Sequence, residues 1–498
     1  MNVNPITRLD YPDPDVIRVE DTYYMVSTTM HFMPGCEILQ SFDLVHWEHV
    51  TYVYETLDHT DAQQLKSGQN IYGQGMWAAS LRYHEGRFCI CFVANDTRKT
   101  YLYTSEKIDG PWKKQLIEGF YHDGSLLFDE DGRNYIVYGN DEIWITELNE
   151  DLTAPKKDGL HRLLVSDHKN PELGYEGSHI YKIDGYYYIF LIHSLRDRWM
   201  RTEACFYSDS LEGEFTGGDV LCDDRGYCGQ GVAQGGIVDT PDGKWYAMLF
   251  QDSGAVGRIP ILLPVTWKDH FPFFGQNGHV PEEIEVHSTR PGYIYQPLVG
   301  SDDFCNGLLP RWQFNHDPDP RYYHLDALQG TYTITTREVC TELTQAVNTL
   351  TQRMSYPSCA AEVTVDASAL KEGDVAGLCA LQSCYAAVGI TKHHGKYEVL
   401  MLDKKEDGIL DVTEGTVVES HQMDFRLEAD FCNMKDEARC YYRVNKGDWL
   451  PIGTVHKLYF KLDHFTGCRF GLFCYATEET GGSACFRDFK YYDVDEIS

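Results

Sequence analysis

In its N-terminal part the chain alternates apolar and polar positions over short stretches, and these stretches come in pairs joined by tight polar turns. Such alternation is typical of β-strands, and Asp-Gly and related pairs favour hairpin turns because they tolerate positive φ angles. The turns occur at Glu20-Asp21, Glu85-Gly86, Asp131-Gly132, Asp184-Gly185 and Asp242-Gly243. Successive turns lie roughly 45 to 65 residues apart, which is enough chain for a four-stranded sheet each time. The pattern predicts an all-β fold whose first domain, residues 1–298, is a five-bladed β-propeller.

The pattern changes after the segment HSTRPGYIYQP. Longer alternating runs follow, such as CAAEVTVDASAL, CYAAVGITKHHGKYEVLMLD and CRFGLFCYATEE. Runs of this kind are typical of the strands of a β-sandwich. We therefore place a domain boundary near residue 300 and predict a C-terminal β-sandwich over residues 299–498.

Composition and charge exclude some classes of function without selecting one. The formal net charge is -33, and such an acidic surface repels phosphate backbones, which argues against nucleic-acid binding. No stretch approaches the roughly 20 apolar residues of a membrane-spanning helix, and the first residues lack the basic and apolar regions of a signal peptide. The 16 cysteines are scattered without a CxxC pair. We expect reduced, mostly buried thiols in a cytoplasmic protein.

Three acidic residues stand in aromatic-rich segments at matching places of the repeat. They are Asp13 in YPDPDVIR, Asp123 in YHDGSLLF and Glu176 in GYEGSHIY. Each precedes the first strand of a hairpin by a few residues, and the inner strands of a propeller start near its axis, so we expect the three carboxyl groups to converge. Hydrolysis of a glycosidic bond requires one carboxylate as base and one carboxylic acid as proton donor, and a third acidic group can hold their pKa values apart.

Each of these residues also has a structural interpretation. Asp13 precedes Pro14, and Asp-Pro pairs favour turns. Asp15 lies two residues further on and competes with Asp13 as the base. Asp123 can accept hydrogen bonds in an Asx-type turn, and Glu176 can be a surface carboxylate. Their common place in the repeat favours the catalytic interpretation.

The same segments resemble those of glycoside hydrolase family 43, the group of β-xylosidases and α-L-arabinofuranosidases, in the same order along the chain. The family's three acidic motifs are similar to the segments around Asp13, Asp123 and Glu176. Two further motifs match Trp77 in MWAASL and Arg258 in GRIPILLPVTW. The resemblance covers essentially the whole chain, because the DDF start and the FRDFKYY end of the C-terminal part look like the lectin-like accessory domain of the β-xylosidase-like members.

The resemblance implies an inverting mechanism. Asp13 would act as general base on a water molecule, Glu176 would protonate the leaving oxygen, and Asp123 would orient the acid and keep it protonated. In such a mechanism the two working carboxyl groups lie about 6.5–9.5 Å apart, which leaves space for the water.

Four further residues are implied to bind substrate. Arg258 would contact a sugar hydroxyl or orient the base, Trp77 would stack on a sugar ring, and Phe32 in MHFMPG would be a subsite aromatic. His179 follows the acid by three residues and would either contact the site or satisfy the core. Structural roles compete, namely an ion pair for Arg258 and core packing for Trp77.

The implied activity is the removal of terminal β-1,4-linked xylose, α-L-arabinofuranose or both from xylo- or arabinoxylo-oligosaccharides. A primarily α-L-arabinofuranosidase activity is the alternative, because a few pocket contacts worth about 1–3 kcal/mol each separate the two sugars. A retaining fructosidase of the same blade count would need an Asn-Asp-Pro-Asn-like opening, which this chain lacks, and a non-catalytic sugar-binding propeller would not need all three acids. A homo-oligomer is compatible with the sequence, which leaves the assembly open.

The sequence departs from the resembling family at its central metal. Members often carry a histidine in an HG run of the fifth blade, where it helps to bind a calcium ion. Here the run is GQGVAQGGIVD, with Gln234 near that place, and a glutamine oxygen ligates calcium less commonly than carboxylates and water. We therefore expect no required cofactor, with calcium, sodium or ordered water as candidates for the central channel.

Overall fold

The computed structural model describes residues 2–493 and is built almost wholly from β-strands. The helical segments of this range are single 3-10 turns at Lys66–Gly68, Gly254–Val256, Leu343–Gln345 and Cys432–Met434. No helix within residues 2–493 has the length and apolar character needed to cross a membrane. The predicted all-β class is confirmed, and residues 494–498 of the predicted sandwich lie outside the described range.

Five four-stranded antiparallel sheets follow one another along the chain, as expected for the blades of a propeller. Blade 1 contains Asp15–Val19, Thr22–Ser27, Gly35–Ser41 and Glu48–Tyr54. Blade 2 contains Met76–His84, Arg87–Ala94, Lys99–Ser105 and Lys113–Ile117. Blade 3 contains Ser125–Phe128, Asn134–Asn140, Glu142–Leu148 and His161–Ser166. Blade 4 contains Glu176–Ile183, Tyr186–Ser194, Arg201–Ser208 and Thr216–Leu221. Blade 5 contains Ala233–Asp239, Trp245–Asp252, Arg258–Lys268 and Phe271–Phe274.

All five predicted hairpin turns join the first and second strands of a blade. At Glu85-Gly86 both residues have positive φ angles, 50° and 77°, and at Asp184-Gly185 the angles are 49° and 82°. Positive φ at both central residues is the mark of a type I′ turn, whose twist matches that of the flanking strands. The polar-glycine pairs therefore set the turn that starts these blades.

The blades surround a central channel. The first strands of neighbouring blades contact each other all the way round, from blade 1 to blade 5 and back to blade 1. Apolar side chains of blades 1 and 5 pack together where the ring closes, including Val16, Tyr23, Met25, Val238, Tyr246 and Met248. A short sheet between Asn2–Val3 and Glu283–Ile284 ties the start of the chain to the segment after blade 5. The beginnings of all five first strands therefore meet at one end of the channel.

The C-terminal domain is a sandwich of two sheets. In spatial order, one sheet contains Leu410–Val418, Lys396–Lys404, Ala386–His393, Asp374–Leu381, Arg469–Ala476, Leu350–Arg353, Gln313–Asn315 and Phe32–Met33. The other contains Tyr323–Asp326, Thr331–Thr335, Ser483–Asp493, Ser358–Asp366, Gln422–Asp430, Glu437–Val444 and Leu450–Lys457. The inner faces enclose the largest apolar cluster of the described residues, which includes Phe304, Leu350, Val363, Leu378, Phe425 and Phe486.

Backbone pairing and buried charge join the sandwich to the propeller. The strand Phe32–Met33 belongs to the propeller part of the chain but pairs with Gln313–Asn315 at the edge of a sandwich sheet. Arg353 of the sandwich lies 2.8 Å from the buried carboxylate of Glu37 in blade 1 and stacks over the ring of Tyr11. Burial opposes the charged form of Glu37, but Arg353 and His49 together outweigh burial and lower the pKa of this carboxyl to about 2. The junction is therefore a charge-paired part of the core.

The cysteines are free thiols. All 16 lie in the described range, and 11 of them are buried. Burial raises the pKa of thiols such as Cys91, to about 12, and a buried thiol of this kind is an unreactive packing residue. The expectation of free, mostly buried thiols is met.

Candidate active site

The candidate site is a cavity at the end of the channel where the first strands begin. Asp13 and Asp123 lie just before the first strands of blades 1 and 3, and Glu176 is the first residue of that strand in blade 4. The cavity is lined by Asp13, Thr28, Met30, Trp77, Ala78, Asp123, Glu176, Arg201, Gln234, Phe250, Arg258 and Phe465. The structure therefore brings together the three carboxyl groups that the repeat led us to expect in one place.

Irregularities in the strands shape this end of the channel. Asp13 and Asp123 have φ angles of 52° and 47°, a left-handed backbone that tolerates aspartate better than most residues. The strand register shifts just after Met76, Glu176 and Ala233, near the start of the first strands of blades 2, 4 and 5. A bulge re-aims the side chains next to it, and the residues after Met76 and Ala233, Trp77 and Gln234, both line the cavity.

Asp13 is held through both carboxylate oxygens. Its Oδ2 accepts a hydrogen bond from the Thr28 hydroxyl at 2.6 Å, and its Oδ1 accepts one from Arg258 at 2.9 Å. Only 6% of Asp13 is exposed. These two bonds fix the carboxylate in place. Because each of its oxygens has a second lone pair, the carboxylate can still accept a hydrogen bond from the cavity.

Arg258 links Asp13 to the sandwich. Its guanidinium carbon lies 4.3 Å from the ring centroid of Phe465, and its Nη2 donates a 3.5 Å hydrogen bond to the Phe465 carbonyl. The backbone N–H of Arg258 donates to Asp10 at 2.7 Å. Phe465 precedes the sandwich strand Arg469–Ala476, so the C-terminal domain supplies part of the cavity wall.

Asp123 supports the segment that carries Glu176. Its Oδ2 accepts a hydrogen bond from the backbone N–H of Gly177 at 3.0 Å. Burial raises the pKa of Asp123 to about 7, with help from the charges of Glu176 and Asp13 and against the charge of His122. Asp123 therefore exchanges its proton near neutral pH.

Glu176 is bound by two side chains through one oxygen. Asn140 donates a hydrogen bond to Oε2 at 2.7 Å, and Nε2 of His122 lies 3.2 Å from the same atom. The same Nε2 is 3.6 Å from Oδ2 of Asp123. Burial lowers the pKa of His122, but the two carboxyl groups outweigh burial and raise it to about 9. The imidazole of His122 therefore lies between the carboxyl groups of Asp123 and Glu176 and carries a positive charge at neutral pH.

A second arginine faces the carboxyl groups. Arg201 lines the cavity together with Arg258 and forms an ion pair with Asp252. Burial and the charge of Arg258 lower the pKa of Arg201 to about 10, so it stays charged at neutral pH. The cavity thus sets two guanidinium groups against three carboxyl groups, and both kinds of group can bind sugar hydroxyls.

His122, Asp123 and Glu176 also lie close enough to share a metal ion, because their ligand atoms are within 4.8 Å of one another. Arg201 and Arg258 line the same cavity, and two fixed positive charges oppose the entry of a divalent cation. The donor set therefore fits proton transfer better than metal binding.

Phe32 is not among the residues that line the cavity, and the prediction that it is a subsite aromatic is corrected. Its ring is fully buried, and the guanidinium carbon of Arg469 lies 3.5 Å from the ring centroid. The backbone of Phe32 pairs with Asn315 in the sandwich sheet. This pairing commits the ring to the domain junction, where it offers no face to a sugar.

His179 also lies outside the residues that line the cavity. The imidazole is buried, with Nδ1 3.0 Å from the Gly177 carbonyl and Nε2 3.7 Å from Oδ1 of Asp15. Two roles were considered for His179, contact with the site and packing in the core. These contacts favour the core role, beneath the strand Glu176–Ile183.

Several residues of the site escaped the sequence prediction. His122 had a signal in the sequence, because it directly precedes Asp123. Asn140 is the last residue of the strand Asn134–Asn140, which pairs with the strand Ser125–Phe128 that follows Asp123. Arg201 and Phe465 had no local signal, because each reaches the cavity through tertiary structure alone.

The sequence profile described as "Glycosyl hydrolases family 43" matches residues 3–272. This chain belongs to glycosyl hydrolase family 43. A second profile, described as "Beta xylosidase C-terminal Concanavalin A-like domain", matches residues 301–492. The protein is therefore a glycoside hydrolase, a family 43 propeller with a concanavalin A-like sandwich.

Relatives of the family 43 enzyme carry two kinds of name. It is 27% identical to a protein named "Beta-xylosidase" from Formosa agariphila, over 99% of this chain and 89% of that one. It is 24% identical to a "Non-reducing end alpha-L-arabinofuranosidase" from Bacteroides ovatus, over 82% of this chain and 79% of that one.

A solved structure is similar over the whole chain. It is a Bacteroides eggerthii protein described as "Bifunctional GH43-CE", with a TM-score of 0.92 and 42% identity over 100% of this chain. The chain spans 64% of that larger protein, so the similarity concerns the part that the two share.

Proposed function

We propose that the protein is an inverting exo-glycosidase that removes terminal β-1,4-linked xylose or α-L-arabinofuranose from xylan-derived oligosaccharides. The observation that carries the proposal is that Asp13 and Glu176 line one cavity, with Asp123 bonded to the segment of Glu176. The names of relatives support the substrate class, since they describe β-xylosidases and α-L-arabinofuranosidases.

Asp13 is the base in this proposal. Thr28 and Arg258 fix its carboxylate, which takes a proton from a water molecule while the water oxygen attacks the anomeric carbon. The bond from that carbon to the leaving oxygen breaks on the opposite face, so the configuration inverts. Arg258 remains beside the base as its counter-charge throughout the step.

Glu176 is the acid. Asn140 and His122 both engage Oε2, so we assign the transferred proton to Oε1. This proton passes to the leaving oxygen as the glycosidic bond breaks, and the product is a neutral hydroxyl. Asp13 ends the step protonated and Glu176 ends it ionised, and exchange with solvent resets both groups.

The cavity wall favours the end of a sugar chain. Trp77, Phe250 and Phe465 supply aromatic side chains from blade 2, blade 5 and the sandwich. Aromatic faces of this kind bury large areas at low entropic cost, and walls from three elements form a pocket for one terminal residue. This arrangement supports exo action on oligosaccharides.

A primarily α-L-arabinofuranosidase activity is the second candidate. The Bacteroides ovatus relative carries that name, and a few contacts worth about 1–3 kcal/mol each are enough to shift preference between two similar sugars. We place β-xylosidase first because the profile that matches residues 301–492 is that of a β-xylosidase C-terminal domain.

The test compares hydrolysis of p-nitrophenyl β-D-xyloside and p-nitrophenyl α-L-arabinofuranoside, with the first-formed product anomer identified by NMR. We expect turnover of both substrates, the xyloside faster, and α-xylose as the first product. A β-xylose product would reject inversion, and an arabinofuranoside rate above the xyloside rate would favour the second candidate. A folded protein that hydrolyses neither glycoside would reject the substrate class.

A further inference from the structure

An arginine crosses the central channel beneath the candidate active site. Arg82 belongs to the first strand of blade 2 and reaches Asp15, which lies two residues after Asp13. A second cavity, of about 430 Å³, is lined by Arg82 and by later residues of the first strands, Val16 and Ile17 among them. Arg82 therefore stands between the catalytic cavity and the other end of the channel.

Every N–H of the Arg82 guanidinium has an acceptor. Nε donates to the Leu126 carbonyl at 2.9 Å, Nη1 donates to Asp15 Oδ2 at 2.8 Å and the Leu81 carbonyl at 2.7 Å, and Nη2 donates to the Ser125 hydroxyl at 2.8 Å and the Ile180 carbonyl at 3.3 Å. A guanidinium carries five N–H donors, so the full set is used.

The acceptors are all oxygen atoms, and they come from blades 1 to 4. One carboxylate, one hydroxyl and three backbone carbonyls around one point are the ligand types that calcium and similar hard cations bind. A metal ion at this point would have to displace the guanidinium of Arg82 or lie beside its positive charge. The residues of the channel therefore do not fit the central metal that the family often binds.

The carboxylate of Asp15 balances the positive charge of Arg82. Asp15 is fully buried. Its Oδ2 also accepts a 2.7 Å hydrogen bond from the Leu81 N–H, and its Oδ1 lies 3.7 Å from Nε2 of His179. Burial lowers the pKa of His179 below its ordinary value, with Asp15 opposing and Arg82 assisting the shift. The imidazole is therefore neutral at neutral pH, and one carboxylate faces one guanidinium.

We propose that Arg82 is the built-in cation of the propeller axis, in place of a central metal, and that replacing it by a small residue uncovers an all-oxygen site for a hard cation such as calcium. The argument rests on the channel contacts and is independent of which glycoside the enzyme cleaves.

The test measures metal content by mass spectrometry and the unfolding temperature, Tm, after EDTA dialysis, with and without added calcium. In the wild-type protein we expect no stoichiometric metal and a Tm change of about 1 °C or less on calcium addition, because a ligand raises Tm only by binding the native state. Arg82→Ala should have a lower Tm, and calcium should raise it by at least about 3 °C.

Two variants control the experiment. Arg87→Ala removes an exposed arginine from the same blade and should behave like the wild type. Arg82→Lys keeps the positive charge and should show no calcium response, although its lower donor count should reduce Tm. If Arg82→Ala does not fold, Arg82→Gln takes its place in the Tm measurement with calcium, because the glutamine side chain is neutral and fills more space than alanine.

Two results would overturn the proposal. One is a calcium ion retained at one per wild-type chain, with a Tm that falls when EDTA removes it. The other is a neutral Arg82 variant that folds and shows no calcium response. Both readouts are independent of glycoside turnover, so the outcome is separable from that of the proposed function.

Discussion

The channel holds two aspartate–arginine pairs whose aspartates are two residues apart, and they are built differently. Asp13 and Arg258 line the catalytic cavity, and among residues 2–493 the Nε of Arg258 has no hydrogen-bond partner. Asp15 and Arg82 lie deeper, where all five N–H groups of the arginine are bonded to protein oxygens. The guanidinium of Arg258 is thus incompletely bonded, whereas all N–H groups of the Arg82 guanidinium are bonded.

The difference teaches how a competing assignment is resolved. Asp15 was an alternative base from its place in the sequence, but its carboxylate is fully buried and bonded to Leu81 and Arg82. A buried guanidinium with a complete set of partners, such as that of Arg82, rigidifies a core, and Asp15 does not line the catalytic cavity as Asp13 does. The comparison therefore assigns catalysis to Asp13 and support to Asp15.

The largest expected effect comes from exchanging each aspartate for its amide. Asp13→Asn should reduce kcat on aryl xylosides about 10³-fold, within the usual range for a general base, and change Tm little. Asp15→Asn leaves the buried charge of Arg82 without its partner and should lower Tm by several degrees. Steady-state kinetics and thermal unfolding check both variants. A fully active Asp13→Asn protein would contradict the assignment of Asp13 as the general base.

A smaller effect on kinetics is expected from the part of the cavity wall that packs against Arg258. Phe465→Ala removes the ring that stacks on Arg258 and should raise KM about tenfold or more, as expected for the loss of one pocket contact. Leu462→Ala, in the same loop and 74% exposed, is the matched control and should leave KM unchanged. Equal KM values for the two variants would show that the sandwich wall does not bind substrate.

The smallest effect is a shift in pH dependence. His122 lowers the pKa of Asp123, which is about 7 in the native protein. Removing that charge in His122→Asn should raise the pKa of Asp123 further. If ionised Asp123 is needed for activity, the acidic limb of kcat/KM moves to higher pH, by about half a unit for a screened neighbouring charge. A pH profile from 5 to 10 checks this.

Arg82 provides a control for the same experiment. Arg82→Lys alters the channel below the site and should leave the position of the acidic limb unchanged. A shift toward lower pH in His122→Asn, or an equal shift in both variants, would contradict the assignment of the limb to Asp123.

The fold was predictable because its signals are local. Polar-glycine turns such as Glu85-Gly86 dictate a hairpin through φ angles that few other residues tolerate, and their repetition gave the number of blades. Asp13, Asp123 and Glu176 were predictable as a group because each stands at or just before the start of the first strand of its hairpin unit. The cytoplasmic location stays a prediction.

The rest depended on long-range contacts. Phe32 was placed in a substrate subsite because its loop matches one where the resembling family has a subsite aromatic, but its backbone partner Asn315 lies in the other domain. Arg201 and Phe465 reach the cavity from a third strand and from the sandwich. A pattern with a period of two residues carries no information about such contacts, so only the folded chain reveals them.

The position of Phe465 has a consequence for how this enzyme can change. One wall of the catalytic cavity is encoded far downstream of Asp13, in the sandwich domain. A truncated propeller would keep its acids but lose that wall. Recombination that exchanges sandwiches between relatives would replace that wall in the same event, so a change of domain would also be a change in the surface that meets the substrate.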